Sequence, residues 1–200
     1  MTMKNLLNLV FLLLFVFGIN TVKTFAQLKG ESVLTAGFGV GFLNVAVSLQ
    51  GAADDNVKTS SAPTLNFMYD YGLIDNFSMG IAVGYNSISI EEKYTSYPTG
   101  IDYTKKGTYT RLNIGLRPMF HWGTKEELDW HSGIRLGYSM WDYSFSSNDP
   151  FAEPEYDNQD LYSFQILFGA RAYFSEKVGM TFDIGVGTPY FVGIGMSVRL

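Results

Sequence analysis

The sequence predicts an all-β fold, an eight-stranded antiparallel up-and-down barrel that crosses a membrane with its strands. The first observation is the last eleven residues, 190–200, which alternate between apolar side chains and small or polar ones. Seven earlier segments alternate in the same way, and all five arginines fall on the polar side of the alternation. A period of two is typical of a strand with two different faces, and about 9–11 residues cross a bilayer when tilted.

The first 26 residues have the pattern of a secretory signal peptide. Lys4 supplies a positive start, an apolar run covers 6–19, and a small-residue cleavage site ends at Ala26. A membrane anchor is the alternative, which the short apolar run disfavours. After cleavage, residues 27–200 are predicted to form one outer-membrane barrel domain. The chain has no cysteine, which excludes disulfides, thiolate metal sites and a lipid-modified N-terminus.

The predicted mature chain is acidic and rich in aromatic residues. Removing Lys4 and Lys23 from the 14 basic residues leaves 12 against 19 acidic ones, a formal charge of −7. That balance argues against nucleic acid as a partner. Aromatic residues make up 16% of the chain and there are 21 glycines, a composition that suits two-faced strands better than apolar helices.

Alternation places the eight strands in order. They lie near residues 34–42, 64–71, 77–86, 111–120, 130–141, 162–174, 178–187 and 190–200. Long polar connections near 44–62, 91–106 and 144–160 alternate with short ones near 72–76, 121–128 and 175–177. Membrane barrels place long loops outside the cell and short turns in the periplasm. The short last connection, at 188–189, is the one break in this pattern.

The arginines test which face lines the lumen. The two faces of each strand can be assigned from its apolar residues alone. All five arginines then fall on the polar face. If each arginine fell on either face at random, this would happen about one time in thirty. A lipid-facing arginine near the bilayer midplane costs about 2–4 kcal/mol, so the bias has a physical cause. The alternative is a soluble barrel with its apolar face inside, which the narrow interior of eight strands disfavours.

The polar faces predict a lumen filled by a charged and amide network. Its predicted members are Arg111, Arg117, Arg135, Arg171, Arg199, Asp70, Asp183, Asn66, Asn113 and Gln165. Matching the faces across hairpins predicts Arg171 opposite Thr181 and within reach of Asp183, and Arg117 opposite Gly133. Buried charges need partners, and an arginine can bridge several acceptors. A structural plug is favoured over a proton or ion path because small barrels have packed interiors.

Aromatic residues near the strand ends predict two belts at the membrane interfaces. The inner belt would contain Tyr71, Phe77, Phe120, Trp130 and Phe174, and the outer belt Phe42, Tyr85, Tyr138, Tyr162 and Tyr190.

The sequence predicts no catalytic, metal-binding or cofactor-binding residue. His121 and His131 flank the short 121–128 connection near Asp129, but without a metal-binding spacing, so a solvated rim is favoured over a zinc site. The acidic loop near 144–160 lacks the spacing of an EF-hand, which leaves a solvated loop favoured over a calcium site. A lipid hydrolase would need its histidine at the outer rim, and no G-x-S-x-G motif is present.

The chain resembles the small outer-membrane β-barrel proteins of diderm bacteria, the group that includes the OmpA transmembrane domain and the OmpX and OmpW proteins. The resemblance covers nearly all of 27–200 and depends on the signal peptide, the eight alternating strands, the loop asymmetry and the closing strand. It implies an outer-membrane location, contact with outer-membrane lipid, and the barrel-assembly machinery as a partner during biogenesis. It carries no motif for an activity.

The favoured function is non-enzymatic: an envelope structural or surface-interaction protein whose long loops meet an unknown extracellular partner. A narrow channel, or a path for small hydrophobic solutes, is the main alternative. A lipid-modifying barrel enzyme and a soluble ligand-binding barrel are less favoured, the first because of the histidine positions and the second because of the arginine parity.

Overall fold

The computed structural model describes residues 29–97, 99–122, 127–154 and 160–200. The predicted signal peptide, with its cleavage site at Ala26, lies outside the described residues, as do parts of the 121–128 and 144–160 connections. No helix among the described residues is long and apolar enough to cross a membrane.

Nine strands and one helix make up the described chain. They are β1 (Ser32–Val40), α1 (Phe42–Ala53), β2 (Val57–Ser61), β3 (Thr64–Ile74), β4 (Phe77–Thr95), β5 (Asp102–His121), β6 (Leu128–Ser147), β7 (Asp160–Tyr173), β8 (Val178–Gly187) and β9 (Val192–Arg199).

Eight of these strands close into an antiparallel barrel. Around the ring their order is β4, β3, β1, β9, β8, β7, β6 and β5, and the pairing of β4 with β5 closes it. Strand β2 lies outside the ring and pairs with 88–92 of β4, where it continues the edge of β3. The predicted eight-stranded up-and-down barrel is therefore confirmed.

The barrel wall is apolar outside and polar inside. Phe67, Ile81 and Leu116 point outward with 57%, 52% and 56% of their surface exposed, whereas Ala82 and Arg117 point inward and are fully buried. This distribution is the reverse of that in a soluble protein. It is the distribution expected in a bilayer, where lipid contacts the apolar face. Closure of the ring also pairs the backbone N–H and C=O groups of every strand, so that no strand edge is left open to the lipid.

Three strands are longer than the apolar alternation predicts. The structure shows 91–95, 102–106 and 144–147 as strand, so the predicted loops near 91–106 and 144–160 are wrong in those parts. Apart from Phe145, these stretches consist of charged residues, serine, threonine and tyrosine. Threonine and tyrosine favour strands, but the stretches lack an apolar face for periodicity to detect.

The first long connection contains structure as well. The polar loop predicted near 44–62 is wrong, because it holds α1 and β2. The side chain of Asn44 fixes the helix: its Oδ1 accepts the Gly41 amide at 2.9 Å, and its Nδ2 donates to Ser61 Oγ at 2.6 Å. Phe42, predicted for the outer belt at a strand end, instead begins the helix, since β1 ends at Val40.

Strand register agrees with the prediction in one hairpin and differs in another. Arg171 lies opposite Thr181, as predicted. In the β5–β6 hairpin Met119, not Arg117, lies opposite Gly133. A shift of two residues leaves every side chain on its face, so the apolar pattern does not reveal it.

Candidate functional site

Two features of the barrel stand out as candidate sites. One is the polar lumen. The other is the part of the wall that continues past the apolar band at the end carrying α1, which we call the outer end. The opposite end, which carries the short β3–β4, β5–β6 and β7–β8 connections, is called the turn end.

Asp70 is the centre of the lumen network. Its Oδ2 accepts a hydrogen bond from Arg117 Nη1 at 2.8 Å and another from Arg171 Nη2, and all three side chains are fully buried. Strands β3 and β7, which carry Asp70 and Arg171, are four places apart in the ring of eight. This contact therefore connects opposite walls. A Cβ at Gly80 would lie 3.1 Å from Asp70 Cγ, so glycine makes room for the carboxylate.

Asp183 forms the second acidic centre. Its Oδ1 is 2.7 Å from His131 Nε2, its Oδ2 accepts the Tyr190 hydroxyl at 3.2 Å, and Arg117 Nη2 lies 3.6 Å away. Arg171, which was predicted within reach of Asp183, donates to Asp70 across the lumen and lies 3.6 Å from Asp129 Oδ2.

Both histidines lie inside the barrel at the turn end. His121 Nδ1 is 2.9 Å from Asp129 Oδ1, and its Nε2 is 2.8 Å from Ser78 Oγ. His121, Asp129 and His131 are each almost completely buried. The prediction of a solvated rim is therefore wrong. The β5–β6 register sets His121 opposite His131 with both rings on the inward face.

Amide and hydroxyl groups surround the arginines nearer the outer end. Asn113 Nδ2 donates to Ser139 Oγ at 2.8 Å and to Ser163 Oγ at 2.6 Å. Arg135 Nη2 donates to the Asn113 carbonyl at 3.3 Å. Arg111 Nε donates to Asn86 Oδ1 at 3.0 Å, which continues the network to the outer end.

The β8–β9 connection folds into the barrel and closes it. Tyr190 is 1% exposed, so its assignment to the outer belt is wrong. Its carbonyl accepts from Gln165 Nε2, and the Pro189 carbonyl accepts from Arg111 Nη2 at 2.8 Å. A Cβ at Gly193 would lie 2.8 Å from the Tyr190 ring, so glycine on β9 leaves the space for that ring.

The predicted network residues do not all lie in the lumen. Nine of the ten are buried there: Arg111, Arg117, Arg135, Arg171, Asp70, Asp183, Asn66, Asn113 and Gln165. Arg199 lies at the turn-end rim, where its Nε is 2.9 Å from Glu31 Oε1 and its guanidinium is 3.6 Å from the Tyr173 ring centre. The predicted lumen network does not contain His121, Asp129, His131 and Tyr190, which the structure also buries in the lumen. For Asp129 and His131 the signal was present, because both share the parity of Arg135 on β6.

The lumen is packed near its middle. A cavity bordered by Asn66, Met68, Thr181, Asp183 and Tyr190 has a volume of about 10 Å³. That is at the lower limit for holding one water molecule.

At the outer end the outward face of the wall changes from apolar to polar, and the inward face changes from polar to largely aromatic. Outward apolar residues end at Tyr85 on β4, Leu112 on β5 and Met140 on β6. Beyond them, we define the outer sheet as β2 together with 87–95, 102–110 and 141–147. Its outward positions on β4, β5 and β6 are Ser87, Ser89, Glu91, Lys93, Thr95, Asp102, Thr104, Lys106, Thr108, Thr110, Asp142, Ser144 and Ser146.

The inward face of the outer sheet carries six aromatic residues, beside Ile88, Ile90 and the ion pair of Glu92 with Lys105. Tyr109 packs on Tyr143 with ring centres 4.7 Å apart, and Tyr94 packs on Tyr103 at 5.9 Å. The Arg111 guanidinium lies 5.1 Å from the Trp141 ring centre. These side chains are half-buried rather than enclosed, except for Arg111, which the lumen covers.

A hydrogen bond fixes the segment after β6 to the outer sheet. The Tyr94 hydroxyl donates to Asp149 Oδ2 at 2.6 Å. This bond raises the pKa of Tyr94 and lowers the pKa of Asp149 relative to their ordinary values. The carboxylate also accepts the Phe151 amide at 2.9 Å, so Asp149 acts here as an anchor for the chain.

Solved structures similar to this barrel are small bacterial outer-membrane barrels, the class that the sequence resembles. The N-terminal β-barrel domain of Pseudomonas aeruginosa OprF matches with a TM-score of 0.48 and 14% identity, over 87% of this chain and 100% of that one. Yersinia pestis Ail, in complex with the heparin analogue sucrose octasulfate, has a TM-score of 0.48 and 12% identity, over 86% and 96%. The P. aeruginosa outer membrane protein OprG has a TM-score of 0.46 and 10% identity, over 86% and 91%. No family model and no curated protein matches the chain.

Proposed function

We propose that the chain is a non-enzymatic outer-membrane barrel that binds an extracellular partner on the aromatic face of its outer sheet. The exchange of faces beyond Tyr85, Leu112 and Met140 is the observation that carries this proposal. On the turn-end side of these three residues, the outward face of the wall is apolar and can contact lipid. On the other side of them, in the outer sheet, the outward face is polar and the inward face presents aromatic rings.

The packed lumen favours a binding role over transport. Hydrogen bonds from Arg117 and Arg171 to Asp70 join opposite walls of the barrel, and the buried Tyr190 side chain fills the lumen on the outer-end side of them. Moving a solute through this interior would require breaking buried ion pairs, which is costly because each ion would lose its partner in a site of low dielectric constant. The geometry therefore favours a plug that holds the barrel rigid.

The size of the outer sheet favours a role at the cell surface. From Tyr85 to Thr95, β4 continues for ten residues past the apolar band, roughly 30 Å at about 3.3 Å per residue. A barrel that served only to stiffen the envelope could end near the membrane surface. Tyrosine and tryptophan are also the residues that contribute most at the centres of protein interfaces.

Photo-crosslinking on intact cells tests this proposal with a matched pair of positions. A photoreactive phenylalanine analogue replaces Tyr143, on the aromatic face, or its neighbour Ser144, on the opposite face of β6. We expect adducts with a partner from position 143 and few from position 144, in cells grown in their natural surroundings. Equal adducts from both positions, or none from position 143, would contradict the proposal.

A further inference from the structure

We propose that His121, Asp129 and His131 form a binding site for a divalent transition-metal ion of the Zn²⁺ class at the turn end of the lumen. One ligand atom from each residue lies within 4.8 Å of the other two. Two imidazole nitrogens and one carboxylate oxygen are a donor set that zinc accepts, with a fourth position left for water. The site lies at the opposite end of the barrel from the outer sheet and does not depend on the proposed binding function.

The spacing of the three donors is close to what the ion requires. His121 Nδ1 and Asp129 Oδ1 are 2.9 Å apart. In a tetrahedral zinc site, bonds of about 2.0–2.1 Å place neighbouring ligand atoms roughly 3.3 Å apart. The three ligand atoms lie within 4.8 Å of one another. The donor on His131 therefore has to move closer by at most about 1.5 Å, and the His121 and Asp129 atoms have to separate by about 0.4 Å.

His131 has one ring nitrogen available for an ion. Its Nε2 is engaged with Asp183, and its Nδ1 is buried without a hydrogen-bond partner among the residues that the structure describes. A buried polar nitrogen without a partner is destabilising, and proteins seldom leave one so. Coordination of a metal ion would satisfy it.

The far side of each imidazole is arranged as in metal sites. His121 Nε2 is 2.8 Å from Ser78 Oγ, and His131 Nε2 is 2.7 Å from Asp183 Oδ1. When Nδ1 ligates a metal, the proton lies on Nε2, where each ring can donate it to these oxygens. Partners of this kind orient a metal-bound histidine and increase its basicity.

The charge around the site also favours a cation. Three carboxylates, Asp70, Asp129 and Asp183, meet two guanidinium groups, Arg117 and Arg171, so the group is one positive charge short when both histidines are neutral. Arg171 Nη1 lies 3.6 Å from Asp129 Oδ2 and opposes the ion, but Oδ1 is the oxygen next to His121. The carboxylates would offset part of the charge of a divalent ion bound there.

Zinc titration of the purified, detergent-folded chain tests this site. The protein is first treated with a chelator, and Zn²⁺ is then added in competition with a chromophoric zinc indicator. We expect one ion per barrel. His131→Gln or Asp129→Asn should weaken binding at least about 100-fold, and Ser78→Ala should weaken it by about 10-fold through loss of the outer partner. Asp149→Asn, at the outer end, is the control and should leave the affinity unchanged.

A second measurement does not depend on whether the variants fold. The chain has two histidines, so ¹⁵N spectra of the wild-type imidazoles contain only two rings. Stoichiometric Zn²⁺ should shift the Nδ1 resonance of both. Absence of stoichiometric binding, unchanged affinity in a folded His121→Gln/His131→Gln variant, or resonances that do not move would each overturn the proposal.

Discussion

Replacing Asp70 with alanine is expected to lower the free energy of unfolding by about 3–5 kcal/mol. The carboxylate is the shared acceptor of Arg117 and Arg171, and no part of any of the three side chains is exposed. Its removal leaves two guanidinium groups buried with less compensating charge, which costs more than the loss of a hydrogen bond alone. Urea unfolding of the barrel in lipid vesicles measures the change.

An exposed ion pair in the same chain provides the control. Glu92 Oε2 lies 3.0 Å from Lys105 Nζ in the outer sheet, and their side chains are 41% and 38% exposed. Glu92→Ala should change the free energy of unfolding by no more than about 1 kcal/mol, because water screens such pairs. If Asp70→Ala also changed it by that little, the lumen network would not be what holds the opposite walls together.

Leu116→Arg is expected to lower the free energy of unfolding by about 2–4 kcal/mol in vesicles. Leu116 lies in the middle of the outward apolar residues of β5, between 112 and 120. A guanidinium group there would sit in the hydrocarbon. Its neighbour Arg117 lies at nearly the same depth in the membrane but is fully buried in the lumen. The expected cost of an arginine at position 116 therefore comes from its facing the lipid.

Thr108→Arg is the matched control for this substitution. Thr108 has the same outward parity on β5 but lies in the outer sheet, beyond Leu112. We expect a change close to zero there, because an arginine beyond the membrane interface stays hydrated. Equal effects at positions 116 and 108 would mean that the apolar band is not embedded in lipid.

The strands and their faces could be predicted because a wall between lipid and a polar lumen imposes a strict period of two. The stretch 77–86 shows this most clearly. The outer sheet was missed since its residues face water on one side and aromatic rings on the other, which gives no apolar stripe. Tyr190 was misplaced because the chain leaves the alternation between Pro189 and Val192, where the connection turns into the barrel.

The members of the lumen network could be predicted better than their partners. Parity alone places Asp70 and Arg171 inside, but their contact depends on closure of the ring between strands far apart in sequence. The histidines were assigned to a solvated rim because both flank the short 121–128 connection, whereas the β5–β6 register sets them opposite each other on the inward face. Hairpin geometry of this kind depends on the turn, part of which lies outside the described residues.

Cysteine accessibility along the outward face of β4 tests the central claim most directly. The chain has no cysteine of its own, so a single substitution reports on one position. In vesicles, a water-soluble maleimide should leave Ile81→Cys and Val83→Cys unmodified and should react readily with Ser89→Cys and Glu91→Cys. This result would place the membrane boundary near Tyr85. Equally fast reaction at 81 and 89 would contradict a lipid-embedded barrel and would mean that the apolar face is in contact with water.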